Sequence, residues 1–123
     1  MTNPLALVFY ERLLPGTQLV NRLQDLGYRV LAVHASVSLE RDAEREKPLL
    51  VFADLESTKN DVCADIARLK KNPATQHLPV IAFGREERVE MQEAARAAGA
   101  VAVGESTLLS HLPELLDRAL QVE

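Results

Sequence analysis

Five short apolar runs recur along the chain, each giving way to a polar stretch before the next begins. Residues 5–10 (LALVFY), 28–33 (YRVLAV), 49–53 (LLVFA), 80–83 (VIAF) and 100–103 (AVAV) are nearly continuous rather than alternating. That is the pattern of strands buried on both faces. The third run, entered through Pro48, ends abruptly on one carboxylate, Asp54. In an open parallel sheet, ligands and chemistry collect at the carboxyl ends of the strands, so Asp54 is the first candidate for a functional group.

The intervening stretches carry apolar residues at helical spacing. Pro15-Gly16 reads as a turn, and from Thr17 the stripe Leu19, Val20, Leu23 and Leu26 predicts a helix that Gly27 stops in a left-handed conformation. Leu39 to Glu46, starting near Ser38, predicts a short charged surface helix. A third helix is predicted from Thr58, with Asp61 completing a box-like start, Val62, Ile66 and Leu69 inward, and Asn72-Pro73 as its end. Arg85 to Ala98 is rich in strong helix formers and stops at Gly99. One last helix lies within Ser106 to Glu123; Pro113 fits only its first turn, so Ser110 is the expected cap, and Leu112, Leu115, Leu116 and Leu120 form the buried stripe. Five strands alternating with five helices through short connections imply right-handed crossovers. The expected fold is a doubly wound α/β domain with a parallel sheet covered on both faces.

Composition narrows the function classes. At 123 residues with 47% hydrophobic and 26% charged, the chain is expected to be one globular domain, residues 1–123. A formal charge of −4 with interspersed signs offers no broad basic surface for nucleic acid. Cys63 is the only cysteine, so neither an intrachain disulfide nor a CxxC site can form. Neither a leader nor an apolar span is read at the start, and the expected setting is the cytoplasm, away from membranes. His34, His77 and His111 have no ligand spacing, and no glycine-rich phosphate loop or Walker lysine is found. Cys63 reads as an inert thiol on its helix.

The LGYRV turn, the PLLVFADL strand, the NPATQHLPVI loop and strand and the Ala98-Gly99-Ala100 step together resemble a response-regulator receiver domain over nearly the whole chain. The resemblance implies the flavodoxin-like strand order 2-1-3-4-5, with a site at the ends of strands one, three and four. It implies that Asp54 would be the phosphoacceptor and that Asp54 and Glu11 would be the Mg²⁺ ligands, were the site active. Four positions depart from the family pattern. The acidic pair after strand one reads Tyr10-Glu11, the threonine or serine after strand four is Gly84, the lysine after strand five is Ser106 or Glu105, and the usual aromatic of strand five is Val103. Thr58 also stands where a proline is usual.

Mg²⁺ needs a few carboxylates, and phosphoryl transfer is catalysed almost wholly by positioning and charge, so these losses fall on its main requirement. The chain therefore resembles the degenerate members called pseudo-receivers. As such it is expected to be a stand-alone, non-enzymatic protein-interaction module in signal transduction, with no cofactor unless Asp54 is phosphorylated. The alternative is a phosphorylatable single-domain regulator, accepting a phosphoryl group on Asp54 from a histidine kinase or phosphotransfer partner. A small-molecule sensor at the same crevice is a third reading. The face of helix four, strand five and helix five, with Arg88, Met91 and Arg96, is the expected surface for a signalling partner or a homodimer.

Overall fold

The computed structural model describes residues 4–57 and 61–120. In chain order the elements are β1 (Leu5–Phe9), α1 (Leu13–Asp25), β2 (Arg29–Val33), a 3₁₀ turn (Ser36–Ser38), α2 (Leu39–Glu46), β3 (Leu50–Asp54), α3 (Val62–Lys71), β4 (Val80–Gly84), α4 (Val89–Ala97), β5 (Val101–Gly104), α5 (Glu105–Ser110) and α6 (Leu112–Ala119). The strands form one parallel sheet in the order β2-β1-β3-β4-β5. This is the flavodoxin-like doubly wound arrangement.

Alternation along each strand sorts the core into two layers. Leu7, Phe9, Val51, Ala53, Val80 and Ala82 pack with Leu39, Val62, Ile66, Leu69 and Ala95 on the α2–α3–α4 side. Ala6, Val8, Leu50, Phe52, Ile81 and Phe83 pack with Leu19, Leu23, Leu108, Leu112, Leu115 and Leu116 on the α1–α5–α6 side. β3 and β4 are buried along their whole length, which is why their sequence runs show no alternation.

Several expectations are corrected. α1 begins at Leu13, so Pro15-Gly16 lies inside its first turn rather than in a preceding loop. Proline is tolerated there because the first-turn amides have no intrahelical acceptor. Gly16 is required because the Tyr10 ring lies where its side chain would be. Leu26, expected on the buried stripe, sits just past the helix and is 45% exposed, while Gly27 does adopt the left-handed φ of 92°.

The helix after β3 begins at Val62, and its cap is Asp61, whose side chain accepts the Ala64 N–H at 3.2 Å. Thr58, the expected start, lies outside the described residues. The last helical stretch is divided in two at His111, where φ −121° and ψ 28° depart from helical values. Pro113 falls in the first turn of α6, as expected, but Ser110 closes α5 instead of capping α6. The described residues thus form six α-helices rather than five.

Candidate functional site

β3 delivers Asp54 to the carboxyl edge of the sheet, flanked by the ends of β1 and β4. Its side chain is fully buried, at 0% exposure. What permits burial is a dense set of donors, since a buried carboxylate is stable only when paired and hydrogen-bonded. The Arg12 guanidinium donates through Nη2 to Oδ1 at 3.0 Å and through Nε to Oδ2 at 3.4 Å. The backbone amides of Arg12 and Glu11 donate to Oδ2 at 3.3 and 3.4 Å, and the Glu56 amide to Oδ1 at 3.0 Å. Asp54 therefore caps three backbone amides, with a cation added.

Arg12 also forms an ion pair through Nη1 with Glu105 of α5. It stands between two carboxylates, at the junction of β1 and α1. Burial by itself would lower the guanidinium's affinity for its proton, but the hydrogen bonds and charges of Asp54 and Glu105 outweigh it and hold the pKa above the ordinary value. Compared with the family pattern, the charges at the two loops are exchanged. The cation follows β1, and a carboxylate follows β5.

Glu11, the expected metal ligand, accepts a hydrogen bond from the Ser57 hydroxyl at 2.5 Å. No group of three or more histidine, cysteine, aspartate or glutamate side chains disposed to hold a metal ion occurs among the described residues. The donor set at Asp54 does not fit a divalent cation. Its oxygens are already engaged by a guanidinium and three amides, and the position before Glu11 carries the phenol Tyr10, whose ring packs edge-on against His34.

Beside Asp54 opens a cleft of about 380 Å³ lined by Glu11, Arg12, Glu56, Ser57, Arg85, Arg88 and Met91. Arg88 and Met91, singled out for an interface, thus border the cleft, whereas Arg96 donates to the Ala102 carbonyl at 3.1 Å and ties α4 to β5. Gly84 ends β4 in register with Gly104 of β5. Val103 is half-buried against the α1–α5–α6 layer. Ser106 lies in the first turn of α5 and donates its amide to Glu86 at 2.8 Å.

No family model and no curated protein sequence matches the chain. Solved structures do. A candidate response regulator from Chloroflexus aurantiacus superposes with a TM-score of 0.88 at 17% identity, covering 97% of this chain and 98% of that one. The receiver domain of the sensor histidine kinase PA1611 from Pseudomonas aeruginosa, solved with a magnesium ion in its active-site cleft, gives 0.86 at 20% identity over 97% and 98%. The receiver domain of NtrX from Brucella abortus gives 0.83 at 21% identity over 96% and 99%. This chain has the receiver fold. Against that fold, the residues that sequence reasoning missed are Arg12, Glu56 and Glu86. Arg12 carries no local pattern that marks it, because its partners Asp54 and Glu105 lie on β3 and α5, far from it in sequence.

Proposed function

We propose that this receiver-fold chain is a pseudo-receiver: a non-catalytic module that acts in signal transduction by binding another protein, without accepting a phosphoryl group. The observation that carries the reading is the state of Asp54. A phosphoacceptor needs an oxygen open to attack and a cation set to neutralise the incoming phosphoryl charge. Here both carboxylate oxygens are buried and occupied, and the neighbouring cation neutralises the aspartate itself. Glu105 adds negative charge where the phosphoryl oxygens would need a positive partner.

The test is exposure of the purified protein to acetyl phosphate with Mg²⁺, followed by intact-mass measurement. No gain of a phosphoryl group is expected. A hydroxylamine-labile phosphoryl adduct that disappears in Asp54→Asn would overturn the reading in favour of a phosphorylatable regulator.

The surface proposed for the partner, or for a second copy of the chain, is the α4–β5–α5 face. Support comes from Val89 on α4 and Val101 on β5, 54% and 46% exposed. Val89→Asp is expected to weaken self-association in sedimentation without lowering the urea midpoint. Unchanged assembly of the folded variant would move the interface elsewhere.

A further inference from the structure

The loop between β4 and α4, residues 85–88, has an unusual set of restraints. Its first residue is held at both ends of its peptide. The Arg85 amide donates to Glu56 Oε2 at 3.1 Å, and the Arg85 carbonyl accepts from Gln92 Nε2 at 3.1 Å and from the Arg88 amide at 3.0 Å. Gln92 is one of the few buried polar residues, and this bond is what its amide satisfies there. The Glu56 side chain is only 6% exposed and lies within 3.8 Å of Arg88 Nε. On the other side, Glu86 Oε1 accepts the Ser106 amide at 2.8 Å, tying the loop to the start of α5.

Both carboxylates sit against glycines. A Cβ on Gly84 would lie 3.0 Å from Glu56 Oε2, and a Cβ on Gly104 would fall inside the Glu86 carboxylate. Neither glycine has a positive φ, so backbone conformation does not require them. Space does. The two are register partners on adjacent strands, which places both openings side by side at the edge of the sheet.

We propose that Glu56 and Glu86 form a two-sided clasp, each carboxylate seated in the space left by Gly84 or Gly104, which holds the β4–α4 loop in one conformation. The clasp fixes the position of Arg85 and Arg88 at the mouth of the cleft beside Asp54. It adjoins the Asp54 site, since the Glu56 amide donates to Asp54 Oδ1 at 3.0 Å. The readout below is taken on the unmodified protein and so does not require that Asp54 take a phosphoryl group.

Amide hydrogen exchange, followed residue by residue by NMR, tests it. In the parent, the Arg85 and Ser106 amides are expected to be protected. Glu56→Ala should accelerate exchange at Arg85, and Glu86→Ala at Ser106, by about tenfold or more, the loss expected when a local tether opens. Gly104→Ala should do the same at Ser106 while leaving both glutamates in the chain, because its methyl would fall inside the Glu86 carboxylate. Protection in the middle of β3 and β4 serves as the folding control. Unchanged exchange at Arg85 in folded Glu56→Ala, or at Ser106 in folded Glu86→Ala or Gly104→Ala, overturns the clasp. Should a glycine variant fail to fold, the corresponding glutamate variant decides.

Discussion

Arg12 and Asp54, 42 residues apart in sequence, meet through two guanidinium nitrogens and both carboxylate oxygens, with the closest approach at 3.0 Å. The aspartate is wholly buried and the arginine 24% exposed. Breaking such a pair from one side is costly because it leaves an uncompensated charge in the interior. Arg12→Ala is therefore expected to lower stability by about 3 kcal/mol, the partial exposure of the guanidinium keeping it at the low end of the range for buried pairs. Asp54→Asn placed in the Arg12→Ala background should restore much of the loss. Urea titrations of the two single variants and the double variant measure the coupling.

The same pair governs metal affinity. With its oxygens engaged, Asp54 should bind Mg²⁺ only at about millimolar concentration or more weakly in the parent protein. Removing the guanidinium frees carboxylate lone pairs beside Glu11, so Arg12→Ala is expected to bind Mg²⁺ more tightly. Calorimetry on parent and variant provides the comparison; a micromolar constant in the parent would contradict this account of the site.

Gly16 offers a test in which the ordinary rule reverses sign. Replacing glycine by alanine within a helix usually stabilises by about 1 kcal/mol. Here the added methyl would enter the Tyr10 ring, and overpacking of that kind costs about 1–3 kcal/mol. Gly16→Ala should destabilise, and Gly16→Ala combined with Tyr10→Ala should lose less than the sum of the two changes, as thermal and urea unfolding would register.

Cys63 links folding to alkaline pH. Burial, and secondarily the charge of Asp61, raise the thiol pKa. The unfolded chain then loses this proton first as pH rises. The group's stabilising contribution is complete below the ordinary thiol value and is lost as pH climbs through the raised folded-state value. Cys63→Ala should flatten this part of the stability profile. Alkylation of native Cys63 should reach its half-maximal rate at a higher pH than that of a small thiol, and Asp61→Asn should bring it partway back. Lys70 acts in the opposite sense, since burial lowers its pKa and stability rises as it deprotonates.

The sheet was legible because burial on both faces writes itself as continuous apolar runs, and the five runs became β1 to β5 with ends shifted by at most one residue. Helix ends were less so. Pro15-Gly16 carries turn chemistry, but its use inside α1 depends on the Tyr10 ring, a contact invisible to local pattern. The division of α5 from α6 likewise sits at His111, a residue without a breaker signature. Of the site, the location of Asp54 followed from its strand. Its burial did not, because that rests on Arg12 and on amides from two loops. Val89 shows the same limit on α4: helical periodicity could not say that its side chain faces solvent while Gln92 turns inward.

The paired glycines at the ends of β4 and β5 constrain how this sequence could change over time. Gly84 cannot gain a threonine side chain without moving the Glu56 carboxylate, whose Oε2 lies 3.0 Å from where the Cβ would be, and a lysine in place of Glu105 would face Arg12 instead of a carboxylate. These two departures from the receiver pattern are thus each coupled to a neighbouring side chain. A lineage reverting either position alone is expected to meet a less stable protein at the first step back.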